Sequence, residues 1–307
     1  MQRPHQEMID VLKASKDRDL LAHAYIISGP KFVGKKIFLE SVLKIVFNDE
    51  SFSFNSIKPN LNLQQIDLGS EDISVENVRN FVHMLTLGGI GSGYKVGVIF
   101  NANLMSAQSS NALLKFLEEP TKKTILFLVV DSYMNLIETI RSRAINIKLK
   151  PIDNLRIASF LKEKYPNVED EKISIITAYS SGLIDYADKL LQDEAKFDII
   201  KEDVAKVLKN LVAPTHIQKE YIDSIEKEDF DNWLSIFKVV VSDLLSVLSE
   251  NPGLIRCLFA KKDLEVAAKK ISLEKVEGLY KKLSEFPEQS VYNLSHTLFI
   301  ESLFYLI

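Results

Sequence analysis

Hydrophobic residues in the first half of the chain form short apolar runs that alternate with segments of helical spacing. The runs predict strands at 24–28, 64–68, 95–100, 124–130 and 145–149. The intervening segments predict helices at 35–47, 74–87, 106–119 and 134–142, with Ser74 as the N-cap of the second. Apolar strands separated by helices are typical of a parallel sheet that is covered on both faces. We therefore expect an α/β domain with five parallel strands.

The pattern changes after Pro151, where no further strand is predicted. Three short helices are expected at 152–165, 170–180 and 184–192. Longer amphipathic helices follow from about residue 195, including 231–250 and 292–307. The fold class is thus α/β plus all-α, with three predicted domains: an α/β domain at 1–150, a small helical domain at 151–194 and a larger helical domain at 195–307.

Composition and charge narrow the classes of function. The formal net charge is -4, whereas DNA-binding domains are usually basic, so this chain alone is not expected to grip nucleic acid. Cys257 is the single cysteine, which excludes an intramolecular disulfide and a cysteine-rich zinc module. Residues 1–19 are polar and mixed in charge, so we expect no signal peptide and no membrane association. The single cysteine fits a reducing setting, so we expect a cytoplasmic location.

A phosphate-loop pattern follows the first predicted strand. Residues 29–36 fit G-x-x-x-x-G-K, with Gly29, Gly34 and Lys35 at the defining positions. In a working loop the backbone N–H groups cradle phosphates, the lysine reaches the terminal phosphates, and a Ser or Thr hydroxyl binds Mg²⁺. Here Lys36 takes the hydroxyl position, and an ammonium group only donates hydrogen bonds. The predicted phosphate-binding residues are therefore Gly29, Gly34 and Lys35, in a loop that is degenerate.

The end of the third strand lacks the acidic residue that would complete a Mg²⁺ site. A hydrolysing ATPase of this type needs a carboxylate there, but the chain has Phe100 followed by Asn101. Metal and positioned water supply most of the charge stabilisation in phosphoryl transfer. We therefore predict no metal, no cofactor and no hydrolysis by this chain, and we expect ATP binding to be absent.

Four segments together resemble the AAA+ clamp-loader family. Residues 109–120, which read SSNALLKFLEEP, resemble the family's N-A-L-L-K-x-L-E-E-P motif, and residues 141–144 resemble its S-R-C motif with Ala144 in place of cysteine. Residues 23–25 match its H-A-aliphatic entry to the first strand, and residues 58–61 resemble a remnant of its H-P-D segment. The order and spacing agree from about residue 20 to 150.

The resemblance implies an AAA+ domain, a small helical lid and a C-terminal helical collar that assembles a ring of subunits. It also implies that Arg143, beside Ser142, is an arginine finger for the ATP site of a neighbouring subunit. The implied partners are the motor (tau/gamma) and delta subunits of the bacterial DNA polymerase III clamp loader. The sliding clamp and primed DNA would be reached through the assembled complex.

Two departures from the family, and three alternatives, bear on this interpretation. The cysteine-rich zinc module that many members carry is missing, and Asp185 stands where the lid often has an arginine, so a triphosphate would be repelled. One alternative is an ATP-gated switch that uses Lys35 alone. Another is a DNA repair adaptor built on a degenerate AAA+ fold. A third is that Arg143 only caps its short helix or lies on a solvated surface.

Overall fold

The computed structural model describes residues 4–56, 60–87, 93–225, 230–285 and 296–306. Lys58 and Pro59, in the segment that resembles H-P-D, lie outside these ranges. The chain divides into two compact units, Met1–Arg156 with Leu183–Asp185, and Ile157–Gly182 with Tyr186–Ile307. The division of the helical part into domains at 151–194 and 195–307 stays a prediction.

The first unit contains a five-stranded parallel sheet. Its strands are β1 (Ala24–Ser28), β2 (Leu63–Ile66), β3 (Lys95–Ile99), β4 (Thr124–Val130) and β5 (Ile145–Lys148). They lie in the order β2-β3-β4-β1-β5, and every neighbouring pair is parallel. The predicted fold class and all five predicted strands are confirmed, with differences of one or two residues at the ends.

Helices cover both faces of this sheet. They are α1 (Gln6–Asp17), α2 (Lys35–Phe47), α3 (Val75–Thr86), α4 (Ala107–Glu118) and the short α5 (Glu138–Arg141). Alternate residues of β4 point to opposite faces, so Phe127 packs in the core beneath α1 and α2, while Leu128 packs beneath α3 and α4. Because both faces are buried, the central strands are mostly apolar, with polar residues such as Ser28 and Lys95 only at their ends.

The start of α3 shows how the sequence sets an element boundary. The Ser74 hydroxyl accepts a hydrogen bond from the Asn77 backbone N–H at 3.1 Å, and the Asn77 side chain accepts one from Ser74 N at 3.0 Å. This reciprocal capping box satisfies two backbone donors that the first turn of a helix leaves without partners. The predicted N-cap at Ser74 is confirmed.

Two predictions for the first unit were incomplete. Helix α1 was missed because only Ile9 and Leu12 are buried along its length, too few to make a clear helical period. The helix predicted at 134–142 is instead a 3-10 turn at Tyr133–Asn135 followed by α5. Leu136 and Ile137 between them have extended backbone, and Leu136 is buried in the core.

The second unit is helical throughout its described residues. Its helices are α6 (Asn154–Lys164), α7 (Asp170–Tyr179), α8 (Ile184–Gln192), α9 (Glu194–Leu211), α10 (Thr215–Ser224), α11 (Phe230–Leu248), α12 (Lys261–Ala268), α13 (Leu273–Glu285) and α14 (His296–Phe304), of which α6 and α8 begin in the first unit. In α11, Trp233 is buried, stacks on Phe237 and donates a hydrogen bond to the Tyr221 hydroxyl. Trp233 therefore lies in the core of this unit.

Candidate functional site

The phosphate loop lies at the carboxyl edge of the sheet, between β1 and α2. In the parallel register Ser28, the last residue of β1, pairs with Val130 of β4, so Asp131 comes beside the loop. Leu149, just after β5, lies on the other side. A Cβ atom at Gly29 would be 2.6 Å from the Leu149 carbonyl oxygen, so any larger residue would clash there.

Lys35, the lysine of the phosphate loop, is bonded to its own chain. Its Nζ donates to the carbonyl oxygens of Gly29 at 2.6 Å and Pro30 at 2.9 Å, and to Asp131 Oδ1 at 2.7 Å. The side chain is 12% exposed. An ammonium group has three N–H donors, so all three are used. Sequence reasoning missed Asp131, although its place immediately after a strand predicted to lie in the sheet was a usable signal.

Asp185 forms two hydrogen bonds with the backbone of the same loop. Its Oδ2 accepts a hydrogen bond from Gly34 N at 3.1 Å, and its own N–H donates to Phe32 O at 2.9 Å. Gly34 has φ of +96°, and a Cβ atom there would be 2.6 Å from the Ile184 side chain. Gly34 is also the N-cap of α2, where exposed N–H groups favour an anion. A carboxylate of the protein therefore bonds to the N–H of Gly34, a group that in working loops cradles phosphate.

Lys36 lies among aromatic rings. Its Nζ is 5.5 Å from the centre of the Phe54 ring, 5.4 Å from that of Phe100, and 3.8 Å from Asp67 Oδ2. A cation within about 6 Å of an aromatic ring is attracted by the ring's negative face. The two residues that replace the Mg²⁺ ligands, Lys36 and Phe100, are thus in contact with each other. Asn101 is not part of this cluster, since its side chain donates to Gly69 O at 2.7 Å.

His5, the N-cap of α1, contacts the loop, and no sequence motif indicates this contact. Its Nε2 lies 2.9 Å from the Val33 carbonyl oxygen, to which the ring donates, and its ring packs edge-on against Phe38. Burial is the main cause that lowers the pKa of His5, against an opposing effect of the backbone hydrogen bond. A neutral imidazole therefore covers the loop at Val33.

Ser142 and Arg143 lie in the turn between α5 and β5. Arg143 Nη2 donates to Glu118 Oε1 at 2.9 Å, and Nη1 donates to Thr139 O at 3.0 Å and Ser142 Oγ at 3.2 Å. Ser142 Oγ also donates to Thr139 O at 3.1 Å. The Arg143 side chain is 36% exposed. The pairing of Glu118 with Arg143 was not predicted.

Arg141 has different surroundings from Arg143 although they are only two residues apart. Its guanidinium carbon is 5.3 Å from the centre of the Tyr133 ring, and Nη1 contacts the Met134 sulfur at 2.8 Å.

The predicted site residues fall into two separate places. The structure brings Gly29, Gly34 and Lys35 together in one loop. The Arg143 hydrogen bonds described above go to α4 and to the α5 turn, not to that loop.

The described residues contain neither a cluster of metal ligands nor a membrane-spanning helix. No group of three or more His, Cys, Asp or Glu side chains in those ranges has an arrangement that would hold a metal ion. The absence of zinc and of other cofactors stays a prediction. No helix in the same ranges has the length and apolar character that a membrane span needs.

Comparison with known proteins points to one family. Residues 4–153 match the family model described as "DNA polymerase III, delta subunit". This segment, just under half of the chain, is similar to that family. Over 243 residues the chain is 27% identical to DNA polymerase III subunit delta' of Bacillus subtilis, covering 75% of this chain and 70% of that protein.

A match to a gamma subunit is similar in identity but shorter. DNA polymerase III subunit gamma of Buchnera aphidicola is 27% identical over 184 residues, 55% of this chain and 51% of that protein. A solved DNA polymerase III gamma subunit-related protein of Thermotoga maritima has a TM-score of 0.44 at 16% identity, with 97% of each chain covered. These sequence matches support the resemblance to delta-prime subunits of the DNA polymerase III clamp loader.

Proposed function

We propose that this chain is a non-hydrolysing delta-prime subunit of the DNA polymerase III clamp loader, which helps load the sliding clamp onto primed DNA. In this proposal Arg143 reaches the ATP site of a neighbouring motor subunit. Tau or gamma and delta subunits are the partners, and the clamp and DNA are contacted through the assembled complex. The family match and the relatives named delta' and gamma support the general assignment.

One contrast carries the finer part of the proposal. The phosphate loop is bonded internally, with Lys35 held by Asp131 and the Gly34 amide by Asp185. Arg143, by comparison, has a partly exposed side chain. A guanidinium that is permanently charged and forked is suited to the phosphate oxygens of a site on another chain. The loop therefore favours loss of the chain's own reaction, and Arg143 favours a contribution in trans.

Calorimetry on the isolated chain tests the first half of the proposal. Titration with ATP and Mg²⁺ is expected to give no heat of binding in the micromolar range. Binding would have to displace Asp185 from Gly34 N and separate Lys35 from three acceptors. Submicromolar binding would contradict the proposal and favour the ATP-gated switch.

Reconstitution with motor and delta subunits, clamp and primed DNA tests the second half. Arg143→Ala is expected to leave assembly intact and to lower DNA-stimulated ATP hydrolysis. A finger supplied in trans is worth about 10³–10⁵ in rate at the site it serves. The complex keeps whatever turnover comes from other sites.

Arg141→Ala is the matched control, because it removes the same positive charge only two residues from Arg143. The Arg141 side chain contacts Tyr133 and Met134 instead of Glu118. Lys36→Ala should also leave turnover almost unchanged. Equal turnover for Arg143→Ala and Arg141→Ala would contradict the assignment of Arg143 as the finger. Failure of the chain to co-purify with the motor and delta subunits would contradict the assignment to the clamp loader.

A further inference from the structure

Arg143 is held by groups from two separate parts of the first unit. Thr139 O and Ser142 Oγ belong to the α5 turn next to it, whereas Glu118 is the last residue of α4 and lies 25 residues earlier. The Glu118 contact is therefore the one that ties the guanidinium to another element. We propose that Glu118 is a positioning residue, which aims Arg143 toward the neighbouring subunit. This inference rests on the proposed function.

The hydrogen bonds of Arg143 leave part of the guanidinium available. The group has five N–H donors. Two Nη1 donors are used by Thr139 and Ser142, and one Nη2 donor is used by Glu118. The Nε–H and the second Nη2–H have no hydrogen-bond partner among the residues that the structure describes. Two N–H donors are enough for a bidentate contact with phosphate oxygens.

The form of the ion pair distinguishes positioning from sequestration. Strong arginine–carboxylate pairs frequently use both oxygens, in two parallel hydrogen bonds. Glu118 instead uses Oε1 alone, at 2.9 Å, and its side chain is 52% exposed. This single contact ties Arg143 to α4 and leaves its remaining donors without a partner among the described residues. It follows that removal of Glu118 should impair Arg143, not release it.

The benefit of such an arrangement lies in preorganisation. A long side chain loses rotamer freedom when it is fixed in a complex, and that loss opposes binding. Holding Arg143 in one orientation before assembly removes part of this cost. An exposed ion pair contributes little to the stability of a protein. The effect of Glu118 should therefore be seen in turnover of the complex and not in the unfolding midpoint of the chain.

The test uses the reconstituted complex with clamp and primed DNA, and measures kcat and KM for ATP. Glu118→Ala is expected to lower kcat by up to about 10²-fold at the site that Arg143 serves, the loss typical of a misplaced group. Glu118→Gln is expected to restore most of kcat, because its amide oxygen still accepts from Nη2. Glu119→Ala is the matched control for Glu118→Ala, since Glu119 is the adjacent exposed carboxylate and no Arg143 hydrogen bond goes to it.

Each outcome separates this inference from the proposed function. If Arg143→Ala lowers turnover and Glu118→Ala does not, the positioning role is wrong and the finger stands. If Glu118→Ala raises turnover, Glu118 sequesters the arginine and the inference is overturned. If Arg143→Ala itself has no effect, the proposed function fails first. The double variant Glu118→Ala/Arg143→Ala should be no slower than Arg143→Ala alone, and gel filtration with urea unfolding should show normal assembly and stability for every variant.

Discussion

Replacement of Lys35 by methionine tests whether the lysine of the phosphate loop stabilises the fold. In a nucleotide-binding loop the lysine is kept for phosphate, and its loss is felt in turnover. Here Lys35 bonds to Asp131 and to two carbonyl oxygens of the loop. Methionine keeps the length of the apolar stem but removes the charge and all three donors. We therefore expect the first unit to lose stability.

The size of the loss follows from burial. Hydrogen bonds to charged groups are worth about 1.5–3 kcal/mol, and breaking a fully buried ion pair costs about 3–5 kcal/mol. Lys35 is 12% exposed, but Asp131 is 32% exposed and can be partly rehydrated. The expected loss in the free energy of unfolding is therefore about 2 kcal/mol, near the lower end of these ranges. Lys36, which is 49% exposed and 3.8 Å from Asp67, should lose about 0–1 kcal/mol when changed to methionine.

Two measurements check this expectation. Urea unfolding followed by far-ultraviolet circular dichroism should show a lower midpoint for Lys35→Met than for Lys36→Met. Because the chain has two units, hydrogen exchange of peptides that cover residues 24–34 assigns the change to the loop and β1. Equal midpoints and equal exchange in the two variants would refute a structural role for Lys35. In the reconstituted complex, Lys35→Met should change turnover only as far as it changes assembly.

Two further predictions concern packing and pH. Gly97→Ala in β3 should lower the free energy of unfolding by about 1–3 kcal/mol, because a Cβ atom would lie 2.6 Å from Leu85 Cδ1 and 2.7 Å from Phe81 Cζ. Gly278→Ala in α13, where a Cβ atom has nothing within 4 Å, should instead raise it by about 0.5–1 kcal/mol, and urea unfolding that showed the same sign for both would contradict this. Burial is the largest cause that raises the pKa of Asp243 in the folded chain above the ordinary 3.8. Protonated Asp243 therefore contributes its full stabilisation below the pKa of the unfolded chain, and this contribution is lost as the pH rises through the folded pKa. The free energy of unfolding of the wild type minus that of Asp243→Asn should therefore fall as pH rises from 3.8 upward, and a flat or rising difference in urea titrations would count against it.

Much of the fold could be predicted from the sequence because the burial pattern is regular. Every residue of β4 is buried and all but Thr124 are apolar, so its bounds at 124 and 130 were predicted without error. Helix α1 was missed since its core contacts rest on Ile9 and Leu12 alone. The helix predicted at 134–142 is interrupted at Leu136 and Ile137, whose extended backbone depends on tertiary packing and not on local propensity.

The candidate site was predictable in its residue types but not in its contacts. The positions of Lys35 and Lys36 followed from the motif. The partners of both depend on elements that are distant in sequence: Asp131 lies 96 residues from Lys35, and Asp185 lies 151 residues from Gly34. A local sequence motif does not indicate which residues so far along the chain will contact it. Asp185 was expected only to repel a triphosphate, and its hydrogen bond with the loop adds a role that needs three-dimensional structure to detect.

The hydrogen bond between Asp185 and Gly34 N has a consequence for how the subunit responds to metabolism. In a subunit that binds and releases nucleotide, the loop amides exchange partners at each turnover, so their state follows the ratio of ATP to ADP. Here the partner is a carboxylate of the same chain, and its local concentration does not depend on the nucleotide pool. In the proposed assembly, a fall in the energy supply of the cell would therefore act on the ring through the motor subunits, while this loop keeps the same bond throughout.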